Sequence, residues 1–537
     1  MSPDSRRLPR AEVCERALNA RDPRFDGIFF VGITTTRVYC RPVCPARVSY
    51  TDRRRFFDSA ASAERAGFRP CMRCRPELAP GRAPMDAVPR LARVAADRIA
   101  AGALNGRSVA ELASELGVSE RHLRRALERE LGVSPVELAQ THRLLFAKQL
   151  LTETSLPITR IAFASGFQSL RRFNSVFRER YRIAPGELRR SASRRAAARA
   201  APVEASGSVP ELVSLTLSYR APLAWEALLR SLTRSPLPAV ETLAGRGYAR
   251  TVRLLDRCGV MIVEESGPRP WRRTRAARAE LTLHVSAALL PVLMPLLAKV
   301  RRLLDLDAEP LVIDAHLAQG GLRELVRRRP GLRIPGVLDG FEAVLREVLS
   351  GLDAAAGNGA APIARVIEAL GEPIDTGIPG LTRLAPTESR VAEVGVPGLL
   401  ALGVAPRCAR MLGAIARAMA EGRLRLEPGA ARARQGLMEI EDVDAATATA
   451  IVMRAMHWPD AFSAGDRRLL EAAGLSGPRS LQALAERWRP WRAYAALHLL
   501  LAAENDHAAL PIRGAARESA RLSRPAGAAG PPLQEAR

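Results

Sequence analysis

Four cysteines crowd one short stretch of the chain. Cys40 and Cys44 have three residues between them in VYCRPVCPAR (38–47), Cys71 and Cys74 have two in RPCMRC (69–74), and 26 residues separate the pairs. A tetrahedral ion takes ligands in pairs from tight turns, and four thiolates select a single Zn2+. Any one cysteine is accounted for as a small buried hydrophobe, but the spacing of all four is not. A dication among four thiolates leaves the site doubly negative and every sulfur electron-rich. Methylating one sulfur turns it into a thioether and removes one negative charge, which eases approach to DNA phosphates. A purely structural zinc staple meets the spacing equally well, so the residues alone leave staple and nucleophile both open.

Two basic helices follow. SVAELASELGVSERHLRRALERELG places Val109, Leu112, Ala113 and Leu116 at helical spacing, then Gly117 at a turn, Ser119 as N-cap, and Leu123 and Leu127 facing inward. PITRIAFASGFQSLRRFNSVFRERYR repeats the order with Ile158, Ile161, Ala162, Gly166, Phe173 and Phe177, and its turn glycine lies 49 positions after the first. Each copy reads as a helix-turn-helix whose second helix is free to enter a major groove. The outward faces carry Arg121, His122, Arg124 and Arg125 in the first copy, and Gln168, Ser169, Arg171 and Arg172 in the second. Arg and Gln read guanine and adenine edges, and the others of the set touch phosphate.

The frame that positions these residues is long and basic. The chain has 537 residues, 47% hydrophobic and 26% charged, and Lys plus Arg number 81 against 56 Asp plus Glu, leaving +25. That charge points to a polyanionic partner, with a generally basic surface as the plain alternative. Seven cysteines, four of them clustered, indicate a metal site in a reducing compartment rather than a disulfide framework. The N-terminus lacks the apolar core of a signal peptide, and the most apolar run (287–300) is interrupted by Pro291, Pro295 and Lys299, so a cytoplasmic, nucleoid-associated protein without a membrane partner is expected.

Composition divides the chain into 1–80, 86–190, a linker at 191–209, a long portion at 210–510 and a disordered tail at 511–537. Segments 212–220, 259–265 and 279–286 alternate apolar and polar residues, as strands of a half-buried antiparallel sheet do, and the pattern after 287 is helical. The expected fold class is multidomain α+β: a small zinc domain, an all-α double helix-turn-helix domain, a small antiparallel-sheet domain and an all-α helical domain.

FVGITTTRVYCRPVCPAR and AGFRPCMRCRPE resemble the N-terminal domain of Ada-type adaptive-response proteins across nearly all of 10–80. The resemblance implies that Cys40 takes a methyl group irreversibly from a DNA methylphosphotriester, with DNA contacts from Thr36, Arg47 and Arg69. Residues 86–190, ending in RIAPGELRR, resemble the AraC-type regulator domain, which implies sequence-specific binding of double-stranded DNA and activation through RNA polymerase. From 210 onward VETLAGRGYART, RRPGLRIPGVLDGFEAVLREVL and AERWRPWRAYAALHLLLA resemble AlkA-type DNA-3-methyladenine glycosylases of the helix-hairpin-helix superfamily, which implies a sheet domain at 210–325 and a helix-hairpin-helix domain at 326–510.

That last resemblance implies excision of flipped-out alkylated bases from DNA, with Asp466 in FSAGDRRLLEAAG as the carboxylate beside the sugar and Leu352 as the wedge. Asp466 is equally well placed to cap the helix that follows. Where the family hairpin reads Leu-Pro-Gly-Ile-Gly, this chain has Ile440, Glu441, Asp442, Val443 and Asp444, which predicts bulk and repulsion at a phosphate. Aromatic pocket positions fall on Ala446, Ala450 and Leu500, which predicts weakened glycosylase activity.

The expectation is a zinc-dependent alkylation-response activator and stoichiometric cysteine methyltransferase, fused to a DNA-3-methyladenine glycosylase. A zinc-containing AraC-type regulator with an inactive glycosylase-like domain, and a glycosylase merely delivered to DNA by its N-terminal domains, are the competing readings.

Overall fold

The computed structural model describes residues 8–46, 51–80, 90–197, 212–266, 279–351, 361–427 and 432–505. Arg47, Leu352, most of the 191–209 linker and the 511–537 tail lie outside the described residues.

The zinc domain begins with helix α1 (Ala11–Ala20) and folds round a four-stranded sheet. Its strands β1 (Phe30–Ile33), β2 (Val38–Cys40), β3 (Arg54–Phe57) and β4 (Arg69–Pro70) lie in the order β3-β1-β2-β4, with α2 (Ala60–Arg65) alongside. Only the β2–β4 pair is parallel, with Tyr39 opposite Pro70. That register sets the end of one cysteine pair beside the start of the other. Phe30, Tyr39, Phe57 and Phe68 fill the small core.

Seven helices follow: α3 (Arg90–Ala100), α4 (Val109–Glu115), α5 (Glu120–Leu131), α6 (Pro135–Glu153), α7 (Ile158–Ala164), α8 (Leu170–Tyr181) and α9 (Pro185–Ala197). Ser119 caps α5 by accepting the His122 amide, and Ser169 caps α8 by accepting that of Arg172. Capping boxes Ser108/Glu111 and Ser134/Glu137 start α4 and α6. Each cap is worth about 1 kcal/mol, and together they set where each reading helix begins. Gly117 and Gly166 both take positive φ at the turns, as the repeat requires. The structure corrects the expected linker: α9 continues through Ala197, past residue 191, because the Ala- and Arg-rich run that looked structureless has high helix propensity.

The next unit is a five-stranded antiparallel sheet in the order β5-β9-β8-β7-β6, formed by β5 (Leu212–Ser218), β6 (Glu241–Ala244), β7 (Gly247–Leu254), β8 (Arg257–Glu265) and β9 (Glu280–Ser286). Helix α10 (Trp225–Leu232) lies between β5 and β6 in the chain. Three of the strands were expected. The hairpin β6–β7 was not, because Gly247 to Val252 is buried without a break and shows no alternation. Helices α11 (Leu293–Leu303), α12 (Pro310–Leu317) and α13 (Arg323–Arg328) complete the unit.

The C-terminal helices are α14 (Gly340–Gly351), α15 (Ala361–Leu370), α16 (Glu388–Ala401), α17 (Pro406–Ala420), α18 (Ala433–Met438), α19 (Ala445–Met456), α20 (Arg467–Ala473), α21 (Pro478–Ala485) and α22 (Arg492–Asn505). One core gathers residues of α14 to α19, such as Val344, Met411 and Ile451, and a second packs α20 to α22 against α12 and α13 through Leu317, Leu469 and Trp488. Among the described residues, no helix is long and apolar enough to cross a membrane.

The units are not beads on a string. Leu150 of α6 and Phe173 and Phe177 of the second helix-turn-helix share one buried cluster with Leu215, Leu283 and Leu296 of the sheet unit. Helix α6 also covers the free edge of β5, where the Gln149 amide donates to the Thr216 carbonyl (2.9 Å) and the Thr216 N–H to Glu153 (3.0 Å).

Candidate functional site

Cys40 ends β2, and Cys44 closes the turn after it, its amide bonded to the Arg41 carbonyl (3.1 Å). Cys71 follows β4 and donates its amide to the Tyr39 carbonyl (2.9 Å), which locks the two cysteine loops together. The four Sγ atoms lie within 4.8 Å of one another. A compact set of four thiols with no other use for their sulfurs fits the coordination sphere of a zinc ion. Without a cation they compete for protons: hydrogen bonds, from Cys40 first, lower the Cys44 and Cys71 thiols, and the bond to Cys44 raises Cys40. An ion takes the place of those shared protons.

The four sulfurs are not equivalent. Cys74 Sγ accepts the Arg41 amide (3.4 Å), Cys71 Sγ accepts the Arg73 amide (3.3 Å), and the Ala46 amide stabilises the Cys44 thiolate. Among the described residues, no backbone N–H reaches Cys40 Sγ. Cys44, Cys71 and Cys74 are buried, whereas Cys40 is partly open. An N–H bond withdraws electron density from a thiolate, so the four sulfurs differ in both electronic environment and exposure.

Around this centre lie charged groups that periodicity could not reveal. Arg41 is half-buried, pairs with Asp26 through Nε (2.8 Å) and Nη2, and donates from Nη1 to the Cys74 carbonyl (3.1 Å). Lys148 of α6 is 1% exposed; its Nζ lies 2.5 Å from Glu77 and 3.1 Å from the Cys71 carbonyl. Glu64 of α2 accepts from Tyr39 (3.1 Å), Thr141 (2.9 Å) and Arg180 of α8 (2.9 Å). Burial pushes the Glu64 carboxyl up to about 7, partly offset by Arg180. The neighbour of Cys40 is thus tied by one carboxylate to the second reading helix. The only hint in the sequence is that Tyr39 adjoins Cys40.

The groups expected to meet DNA are spread over three surfaces. Thr36 is exposed in the turn between β1 and β2, while Arg69 is half-buried and its amide pairs with the Arg37 carbonyl (2.8 Å). On α5, Arg121, His122 and Arg125 are exposed. Arg124 departs from the expectation: it is only partly exposed and is held by Glu120 (2.6 Å), because the two stand one helical turn apart. At the start of α8, Gln168, Arg171 and Arg172 are exposed, and the Ser169 hydroxyl is occupied by the cap.

In the C-terminal bundle, α18, a hairpin and α19 form a helix-hairpin-helix. Asp442 adopts φ +69°, the left-handed conformation glycine would take, and its carboxylate is paired with Arg410 (2.9 Å) while Arg407 donates to its carbonyl (3.1 Å). Asp444 caps α19 through the Thr447 amide (2.7 Å). Ala446, Ala450 and Leu500 are partly exposed. Asp466 caps α20: Oδ1 accepts the Arg468 amide (2.9 Å), the side chain is 21% exposed, and no hydrogen bond to Oδ2 is seen among the described residues. Cap and free oxygen coexist.

A thiolate metal centre docked on paired reading helices, ahead of a helix-hairpin-helix bundle, defines a modular zinc- and DNA-binding protein. A model of the metal-binding domain of Ada matches residues 13–77, a helix-turn-helix domain model 112–191, and the AlkA N-terminal domain model 214–339, beyond the boundary at 325 that the resemblance implied. The chain is 36% identical over 503 residues, covering 91% of itself and 95% of the relative, to a probable bifunctional transcriptional activator/DNA repair enzyme AlkA of Mycobacterium tuberculosis. It therefore belongs to the family of bifunctional transcriptional activator/DNA repair proteins of that type. It is also 32% identical over 286 residues to DNA-3-methyladenine glycosylase 2 of Escherichia coli, covering 53% of this chain and 95% of that protein. Against the bifunctional transcriptional activator/DNA repair enzyme Ada of the same organism, identity is 33% over 125 residues, 23% of this chain and 34% of that one.

Proposed function

We propose that this chain is a DNA alkylation-response protein in which Cys40 accepts a methyl group from a DNA methylphosphotriester. One observation carries the reading: Cys40 offers the open sulfur that no described amide quenches. Zinc, held by Cys40, Cys44, Cys71 and Cys74, keeps the thiols ionised at neutral pH. The Cys40 sulfur attacks the methyl carbon. An S–C bond forms as the C–O bond breaks, and the electron pair stays on the phosphate oxygen, restoring a phosphodiester. Thr36, Arg47 and Arg69 hold the flanking phosphates.

Loss of one negative charge then favours DNA binding, and α5 and α8 read a specific sequence so that RNA polymerase is recruited. The family's activator and repair roles support this order of events. Residues 1–80 carry the acceptor, 86–190 the reading helices and 210–510 the glycosylase half, working on the nucleoid in the cytoplasm.

The C-terminal half acts on cationic alkylated purines such as 3-methyladenine. The base is flipped out, with Leu352 as wedge; the glycosidic C–N bond breaks, its pair neutralising the base, and water adds to the sugar carbon. Asp466 Oδ2 is free to stabilise the oxocarbenium-like transition state while Oδ1 holds the helix. Without aromatic side chains at 446, 450 and 500, turnover is slow.

Intact mass spectrometry after incubation with methylphosphotriester DNA should show one added methyl on wild type and none on Cys40→Ala; methylation of Cys71 refutes the assignment. Wild type should release 3-methyladenine from alkylated DNA and Asp466→Asn should not. Equal release by the two refutes the role of Asp466.

A further inference from the structure

The two halves of the chain meet next to the methyl acceptor. Arg220 follows β5, in the glycosylase half, and is buried. Its Nη2 donates to the Asp26 carbonyl (3.3 Å) and its Nη1 to the Asp307 carbonyl (2.9 Å), with Glu309 at 3.9 Å. The Arg220 carbonyl in turn accepts Nη2 of buried Arg333 (2.5 Å), so the residue is fastened at both ends. Asp26 is itself buried, and its carboxylate is fully engaged by Arg41. Arg41 follows Cys40 directly and is the residue whose amide reaches Cys74 Sγ (3.4 Å) and whose guanidinium reaches the Cys74 carbonyl (3.1 Å).

Because Arg220 grips the main chain of Asp26, it sets where that carboxylate stands, and the carboxylate sets where the Cys40–Arg41 peptide stands. Methyl transfer needs the sulfur in line with the breaking C–O bond at about 3–3.5 Å, and displacement by about 1 Å costs up to about a hundredfold in rate. The zinc ligands hold one side of the acceptor loop, and the Arg41–Asp26 pair holds the other.

We infer that Arg220 is a positioning residue for methyl transfer at Cys40, acting through Asp26 and Arg41. This rests on the reading of Cys40 as the acceptor. It also makes the two repair centres interdependent: the acceptor loop keeps its geometry only while the sheet unit is seated against it. An Ada-type zinc domain in this chain is thus not a free-standing module.

The test uses the zinc-loaded full chain as wild type, Arg220→Gln, Arg220→Lys and Asp26→Asn, with Arg327→Gln, an exposed arginine of the same half, as control. Four quantities are read: the single-turnover methylation rate at saturating methylphosphotriester DNA, the DNA concentration for half-maximal rate, hydrogen exchange of the Arg41 amide, and zinc content. Arg220→Gln should methylate about tenfold more slowly and exchange its Arg41 amide correspondingly faster, with zinc content and half-maximal concentration unchanged. Arg220→Lys should recover part of the rate, since one donor can still reach the Asp26 carbonyl.

If Arg220→Gln does not fold, Asp26→Asn breaks the same chain one link nearer the cysteine without touching Asp307, and should show the same split. Wild-type rate and exchange in either folded variant overturn the positioning role. A wild type that takes no methyl overturns the reading of Cys40 itself, and the positioning role with it.

Discussion

Lys148 holds the Cys71 loop from below, and removing its charge is the most demanding test of how the zinc domain is seated. The Nζ is 2.5 Å from Glu77, the two side chains are 1% and 2% exposed, and the same ammonium caps the Cys71 carbonyl at 3.1 Å. Burial alone would raise the Glu77 carboxyl, but Lys148 and Arg75 outweigh it and keep it below the usual range. Lys148→Met leaves that carboxylate buried with Arg75 (3.1 Å) as its remaining partner. Stranding a buried charge costs about 3–5 kcal/mol, and the surviving Arg75 places this case near 3.

About 3 kcal/mol is roughly a hundredfold in the population of an opened loop. Zinc release to a chromogenic chelator should accelerate by about that factor. Lys148→Met/Glu77→Gln removes both charges and should recover at least about 2 kcal/mol relative to the sum of the single changes. Chelator-competition kinetics and thermal unfolding of the zinc-loaded chain supply the double-mutant cycle. A Lys148→Met protein that releases zinc within threefold of wild type, or a strictly additive double variant, refutes the argument. The sign with pH follows from the depressed Glu77 carboxyl: its stabilisation is present above the ordinary glutamate value and is lost as pH falls through the lower folded value.

Asp442→Gly removes both a left-handed aspartate and a negative charge between Arg407 and Arg410. Stability should stay within about 1 kcal/mol, while binding to undamaged duplex tightens and its salt dependence steepens by about one phosphate contact, read from a salt titration. His142 and His498 are each pushed down to about 4, His142 by burial and His498 by burial and then Arg329. The unfolded chain therefore binds more protons between about pH 4 and 6.5, so stability is lost as pH falls through that window. His498→Leu should flatten the acid side of a pH–melting curve, and an unchanged profile counts against the burial argument. Ser119→Ala and Ser169→Ala should each cost about 1 kcal/mol in stability and lower operator affinity, measured by melting and by DNA titration.

Local patterns were legible wherever a short-range rule applies. Two cysteine pairs at fixed spacing, two turn glycines at positive φ and three alternating strands all appear where the sequence places them. Continuous burial defeats alternation, so β6 and β7 had no readable period, and an Ala- and Arg-rich run without apolar rhythm hid the last turns of α9. Arg124 is less open than its neighbours on the same face because an i,i+4 partner, Glu120, pairs with it. That Arg407 and Arg410, more than thirty residues upstream, pair with Asp442 at the hairpin was not legible in the sequence.

By itself, then, the sequence determined the metal with its four clustered cysteines and the two helix-turn-helix copies, because each follows from residue type and spacing. Only the tertiary structure decided which sulfurs receive a backbone amide and which one is partly open, because that depends on where the amides of Arg41, Arg73 and Ala46 point once β2 and β4 are paired. It also decided that Lys148, Glu64 and Arg220, distant in the chain and unremarkable in the sequence, converge on the acceptor loops: a charge can be buried only where folding supplies a partner, and partners up to 194 residues apart leave no local pattern to read.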